Sequence, residues 1–230
     1  VSAPTLILAS ASPARAALLR TAGIEPDIQP ADVDEEALLA AAARESGGHA
    51  VPVREAVALL ARAKAEAVAS LLATTDAAAP ADLTHRTDPA GELEEGDAVV
   101  IGCDSLLELD GEALGKPYEP ERARARWRQM RGRSGTLHTG HHLIRGVDHV
   151  HAVSSTVVHF AELTDAEIDA YVATGEPLSV AGAFTLDGFG GAFVTGVEGD
   201  PHGVVGLSLP LVRVLLADLG LAWTDFWRVT

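Results

Sequence analysis

Ser10, Ser12 and Arg15 stand in the run Leu6-Ile7-Leu8-Ala9-Ser10-Ala11-Ser12-Pro13-Ala14-Arg15. An apolar strand pattern breaks there into a Ser-x-Ser-Pro turn, and a helix pattern follows at once. Ser12 suits a helix N-cap and Pro13 the first helical position. Such a junction aims backbone N–H groups, two hydroxyls and a guanidinium at one point, which is chemistry for an anion, phosphate above all. An ordinary strand-to-helix turn uses the same residues, so the run alone leaves both readings open. Asp104 is the strongest single candidate for reactivity. It follows Val99-Val100-Ile101-Gly102-Cys103 and is expected at the carboxyl end of a strand, where open α/β sheets place their ligands. There it could bind a metal, take a proton from water, or merely cap a turn.

Two lysines are weaker signals. Lys64 interrupts an Ala-rich helix pattern on or near its apolar side, and Lys116 sits between Gly115 and Pro117 just after a hairpin signal. Taken singly, each reads as a solvated side chain, because lysine runs its stem along apolar surface and leaves its ammonium in water. His138, His141, His142, His149 and His151 invite a metal reading. On a strand, however, His138 and His142 share a face about 13 Å apart, a poor start for one ion. Asp187-Gly188-Phe189-Gly190-Gly191 looks like a nucleotide-binding glycine loop but lacks the required strand before and helix after it. Cys103 has no evident base beside it and reads as a small buried residue.

The elements that must position these groups interleave. A strand over residues 5–9 leads to a helix ending before Gly23. The acids at 32–36 open a second helix, favoured there by the helix dipole. Residues 53–72 form a long helix with Val57, Leu60, Ala61, Lys64 and Val68 near one face. A strand at 99–103 continues through 106–109, and Asp110-Gly111 turns it into a hairpin. Residues 119–130 are helical, and strands follow at 137–144 and 150–160. Thr164 and Glu167 make a capping box for a helix that Gly175 stops. A strand at 192–197 and a helix at 210–219 complete the pattern, with Trp223, Phe226 and Trp227 packing on the core or another subunit. The fold class expected is α/β with a mixed sheet, because at least one hairpin is present. Residues 74–97 hold seven acids against one arginine, and read as an exposed insertion.

Across 230 residues, 47% are hydrophobic and 22% charged, as in a soluble globular protein with a real core. The net charge of -16 argues against broad nucleic-acid binding. An acidic enzyme working on an acidic small molecule must gather its few cations in one cleft, where a divalent metal would help. One cysteine, no basic apolar leader and no run of membrane-spanning length predict a cytoplasmic protein without a membrane partner.

Taken in order, the segments resemble the Maf family of nucleoside triphosphate pyrophosphatases over nearly the whole chain. The resemblance rests on Leu8 to Pro13 with Arg15, Val33-Asp34-Glu35, Ala63-Lys64-Ala65 and Ile101-Gly102-Cys103-Asp104. It continues in Leu109-Asp110-Gly111-Glu112, Leu114-Gly115-Lys116-Pro117, Gly175-Glu176-Pro177-Leu178, Ala181-Gly182-Ala183-Phe184 and Val204-Val205-Gly206-Leu207-Ser208. It implies one domain over residues 1–230 whose mixed twisted sheet is flanked by helices, with two lobes around a central cleft, close to inosine triphosphate pyrophosphatases. It implies hydrolysis of a nucleoside triphosphate, including non-standard ones, to the monophosphate and pyrophosphate. The proposed cellular roles are nucleotide-pool cleaning and restraint of septum formation, and members are often dimers. The family's proton acceptor falls on Asp104, its phosphate-binding serine and arginine on Ser10 and Arg15, its cleft acid on Glu35 and its lysines on Lys64 and Lys116. Glu35 and Asp104 are oxygen ligands suited to Mg²⁺ or Mn²⁺.

Departures fall at the positions tied to substrate choice. A second arginine expected after Ser-Pro is Ala14, and the positions that separate the family's branches hold Ser105 and Asp187. The chain belongs to neither branch cleanly, so base preference does not carry over. A low-turnover nucleotide-binding regulator of cell division is the alternative.

Overall fold

The computed structural model describes residues 4–78 and 98–228, without the side chains of 75–78. Most of the acidic stretch 74–97 therefore lies outside the described residues. Seven strands form one mixed sheet: β1 (Thr5–Leu8), β2 (Asp27–Ile28), β3 (Ala98–Leu109), β4 (Glu112–Leu114), β5 (Ser134–Arg145), β6 (Asp148–Phe160) and β7 (Val194–Glu198). Their order is β2-β1-β3-β5-β6-β7, with β4 beside β3. β1 runs parallel to β2 and β3, and every other pairing is antiparallel. The helices are α1 (Pro13–Thr21), α2 (Glu35–Glu45), α3 (Val53–Ala78), α4 (Pro120–Met130), α5 (Asp165–Ala173), α6 (Pro201–Val205) and α7 (Leu209–Asp218).

Local signals set several boundaries. Pro13 starts α1 with Ser12 as its cap, accepting from the Arg15 N–H at 3.5 Å. Asp34 caps α2 through the Ala37 N–H at 2.9 Å. Both halves of the Thr164/Glu167 capping box are formed at α5. Asp110 and Gly111 both have positive φ, 53° and 82°, as the tight turn between β3 and β4 requires.

Long strands β3, β5 and β6 carry two lobes. In one, Leu107, Met130, Phe160 and Tyr171 surround the fully buried Trp127. Its indole meets Phe160, Tyr171 and Phe193 edge-on with centroids 5.7, 5.5 and 5.9 Å away, and its N–H donates to the Ala183 carbonyl at 2.7 Å. Such aromatic pairs add about 0.5–1.5 kcal/mol each beyond burial. In the other lobe Leu8, Leu19, Ile101, Leu143 and Leu216 pack between the sheet, α1 and α7, while Val68 of α3 covers Ile7, Val100 and Ile144. Phe226 is buried in that second lobe and Trp223 packs against it, whereas Trp227 lies over Gly23.

Helix α3 lies unusually close on the sheet. At Gly102 a Cβ would run into the Ala61 carbonyl, and at Gly140 into that of Val57. Only glycine lets backbone approach backbone this way.

Three boundaries correct the sequence expectations. Helix α3 continues to Ala78, past the expected end at 72. Residues 189–193 form a 3-10 turn, so β7 starts only at Val194. Asp104 lies in the middle of β3, opposite Gly140, not at a strand's end. The reason is non-local: β5 pairs with β3 from Val100 to Glu108 and holds it extended. On the other edge β1 pairs only to Ile101 and β4 only from Leu107. Asp104 and Ser105 therefore sit in a gap between two neighbouring strands, where β1 has turned away into α1.

Candidate active site

That gap opens into a cleft of about 430 Å³ between the lobes, a size suited to a small-molecule ligand. Ser10, Ser12, Arg15, Glu35, Lys64, Asp104 and Lys116 line it, and so do Ala14, Ser105 and Asp187. These ten site candidates thus border one space, whereas Cys103 and the histidines weighed in the sequence are not among its lining residues.

Arg15 is 9% exposed and points back across the β1–α1 turn. Its Nε donates to the Gly206 carbonyl at 2.7 Å, Nη1 to Ser10 Oγ at 2.9 Å and Nη2 to Ser105 Oγ at 3.1 Å. Ser105 Oγ lies 2.8 Å from Thr139 Oγ1, which donates to the Gly203 carbonyl at 2.8 Å. Ser10 Oγ also accepts the Ser12 N–H at 3.2 Å. All these acceptors are uncharged. Among the described residues no carboxylate forms an ion pair with Arg15, so its charge is left for an anion in the cleft.

Lys64 answers the question its sequence position left open. Its side chain is 13% exposed, and Nζ lies 2.6 Å from Glu35 Oε1 while pairing with Asp104 Oδ1 as well. The lysine bridges two carboxylates rather than reaching for water. Burial pushes the Asp104 carboxyl above its ordinary range, against the opposing pull of Lys64 and Arg15. A carboxylate so perturbed, in a cleft, is a candidate for proton transfer.

Lys116 is exposed and borders the same cleft. The carbonyl before it, on Gly115, accepts from the Gly182 N–H at 3.2 Å and from the Arg126 guanidinium. Asp187 is exposed too, and the lining also includes the apolar Val180, Phe184 and Leu186.

Glu35 and Asp104 supply hard carboxylate oxygens on one cation. Among the described residues no group of three His, Cys, Asp or Glu side chains is placed to hold a metal ion. Two carboxylates are what Mg²⁺ takes when substrate phosphates complete its shell, so the donor set fits such an ion. The five histidines do not meet at one point. His138 bonds Ser155 and Glu108 at 2.8 and 3.0 Å, while His142 lies 3.1 Å from His149 and stacks on His151. Cys103 is buried and its thiol is pushed up to about 11 by burial, an unreactive state.

Glu176 enters the sequence reading only as part of the Gly175-Glu176-Pro177-Leu178 motif, with no role attached. Its Oε1 accepts from Thr185 Oγ1 at 2.5 Å, Tyr171 Oη at 2.9 Å and the Gly190 N–H at 3.0 Å, and its Oε2 from the Phe189 N–H at 2.9 Å. Burial raises its carboxyl, but these donors outweigh that and hold it below the ordinary range. The glycine spacing of residues 187–191 was a second signal, but the partner it holds lies outside the run.

Comparison with known proteins agrees with the geometry. The family model described as Maf-like protein matches residues 5–219. The chain is 49% identical over 229 residues to a nucleoside triphosphate pyrophosphatase of Nocardia farcinica, covering 97% of both chains. It is 51% identical over 224 residues to that of Streptomyces coelicolor, covering 96% of this chain and 94% of the relative. Identity to that of Leifsonia xyli is 50% over 228 residues, with coverage of 97% and 96%. With the match running over nearly the whole length of each relative and the fold in place, this chain belongs to the Maf family.

Proposed function

We propose that the chain is a nucleoside triphosphate pyrophosphatase working as one unit across its length, with Asp104 as proton acceptor. The observation that carries this is the meeting of Arg15, Lys64 and Lys116 around one buried carboxylate in one cleft. A molecule of net charge -16 repels a triphosphate except where cations are gathered.

In the reaction, water attacks the α-phosphorus, an O–P bond forms, and the bond from that phosphorus to the oxygen bridging the β-phosphate breaks. The nucleoside monophosphate and pyrophosphate result. Asp104 takes the water's proton, a role that its raised affinity for protons favours. Arg15, held by three uncharged acceptors, and Lys116 spread the charge developing on pyrophosphate. Ser10 fixes the guanidinium, and Ser12 holds the turn that presents it. Glu35 and Asp104 would hold a divalent cation such as Mg²⁺ or Mn²⁺, which supplies further neutralisation of the polyphosphate when bound. Ala14, Ser105 and Asp187, the positions tied to substrate choice, border the same cleft. The single Cys103, buried as a thiol, suits a reducing cytoplasm. A homodimer and a part in nucleotide clearance and division arrest complete the reading.

The test is pyrophosphate release from a panel of canonical and modified triphosphates with Mn²⁺. Monophosphate and pyrophosphate are expected together. Asp104→Asn should lower turnover by about a hundredfold or more while calorimetry still registers nucleotide binding. Release of orthophosphate alone would reject the bond cleavage, and a near-normal rate in Asp104→Asn would reject the base.

A further inference from the structure

The glycine run at residues 187–191 is built to hold an anion, and the anion it holds is the chain's own Glu176. Phe189 and Gly190 direct their backbone N–H groups at the two carboxylate oxygens, at 2.9 and 3.0 Å. A Cβ at Gly188 would strike the Glu176 carboxylate, and one at Gly190 would come within 2.7 Å of the Thr185 carbonyl. The glycines are therefore needed to close the loop around a side chain rather than around a substrate phosphate. Tyr171 ties the arrangement to the interior. Its hydroxyl donates to Glu176, while its ring is 2% exposed and packs edge-on against Trp127 and Phe193.

Glu176 does not border the cleft, yet Thr185, Leu186 and Asp187 do. Leu186 joins Val180 and Phe184 in an apolar stretch of the lining, suited to a base and sugar rather than to phosphates. We propose that Glu176 is a positioning residue for the nucleoside end of the site: its carboxylate sets the wall against which base and sugar rest and leaves the phosphate end untouched. The proposal rests on the reading of the cleft as a triphosphate site. Among the described residues Glu176 has no cationic partner, so four donors alone satisfy it. A glutamine would bring an NH₂ group against those donors and force part of the loop away.

Calorimetric binding of an α,β-methylene nucleoside triphosphate and of inorganic tripolyphosphate separates the two ends, since only the first carries base and sugar. Glu176→Gln should weaken the nucleotide analogue by about tenfold or more and leave tripolyphosphate within about twofold of wild type. Tyr171→Phe removes one donor far from the cleft, and should shift the same ratio in the same direction by about threefold. Parallel weakening of both ligands, or an unchanged nucleotide affinity in a folded Glu176→Gln, would overturn this role alone. A wild-type protein that binds tripolyphosphate but no nucleotide analogue would overturn the reading of the cleft and this role with it.

Discussion

Arg15 Nε donates to the Gly206 carbonyl across 191 residues of chain, joining the first helix of the fold to the turn after α6. The same guanidinium holds Ser10 on its own turn and Ser105 on β3. One planar cation thus fixes three segments that border the cleft and keeps its charge unneutralised there.

Arg15→Lys keeps the charge and loses the fork. An ammonium on a flexible stem cannot serve three acceptors spread across a plane. The expected outcome is a fall in kcat/KM of about tenfold or more, with a loss of about 1–3 kcal/mol in urea unfolding from the abandoned buried acceptors. Steady-state pyrophosphate release and equilibrium unfolding check the two parts separately.

Glu35 and Asp104 meet on Lys64, so in the protein without a divalent ion each carboxylate already has a cationic partner. Chelation should therefore stop turnover without lowering the melting temperature of the nucleotide-free protein. Glu35→Gln should raise the Mg²⁺ concentration for half-maximal rate by about tenfold or more, since even outer partners of a metal ligand are worth about 10–100-fold. Titration of Mg²⁺ against initial rate reads this directly, and an unshifted midpoint would remove Glu35 from the metal's shell.

Elements closed by neighbours in sequence were legible in advance, and contacts closed by distant ones were not. Ser12 before Pro13, Thr164 with Glu167, and Asp110-Gly111 each complete a hydrogen-bonded unit within a few residues, so their types suffice. Lys64 was ambiguous because its partner Asp104 is 40 residues away. Nothing near a helical lysine tells a snorkelling stem from a bridge between carboxylates. Asp104 was misplaced along its strand because the length of β3 depends on β5, which follows it. Glu176 stood in a family motif without a role, because a glycine run announces a cradle and not its contents. The family resemblance located most of the cleft residues, but the hydrogen bonds that orient them came only from the structure.

His141 is expected to make the fold acid-sensitive. Its Nε2 accepts the Ser208 N–H at 2.9 Å, an arrangement open only to the unprotonated nitrogen. Burial and the nearby Arg15 push its pKa down to about 4, and it is 1% exposed. The folded state thus binds fewer protons than the unfolded chain, whose histidines titrate near 6.5. The corresponding stability is fully present above that value and is lost as pH falls toward 4, amounting to about 3 kcal/mol across the window. Urea unfolding across that range should show this decline in wild type and a flatter one in His141→Gln, whose side chain stays neutral. Equal slopes would assign the acid sensitivity to other groups.

Gly102→Ala tests whether the close seat of α3 is what brings Lys64 to Asp104. The added methyl would meet the Ala61 carbonyl and come within 2.7 Å of the Ala65 backbone nitrogen, neither of which can rotate aside. The helix must lift off β3, and Lys64, one residue before Ala65, must lift with it. Overpacking of this kind costs about 1–3 kcal/mol. Turnover should fall further than that instability alone explains, because the bridge between Glu35 and Asp104 opens. Gly196→Ala on β7 is the control: its Cβ meets only His159 Cδ2 at 3.6 Å, an ordinary contact, and should change stability by less than about 0.5 kcal/mol. Assay under conditions where both variants are fully folded separates the effects. Full activity in Gly102→Ala would show that Lys64 reaches Asp104 without the glycine contact.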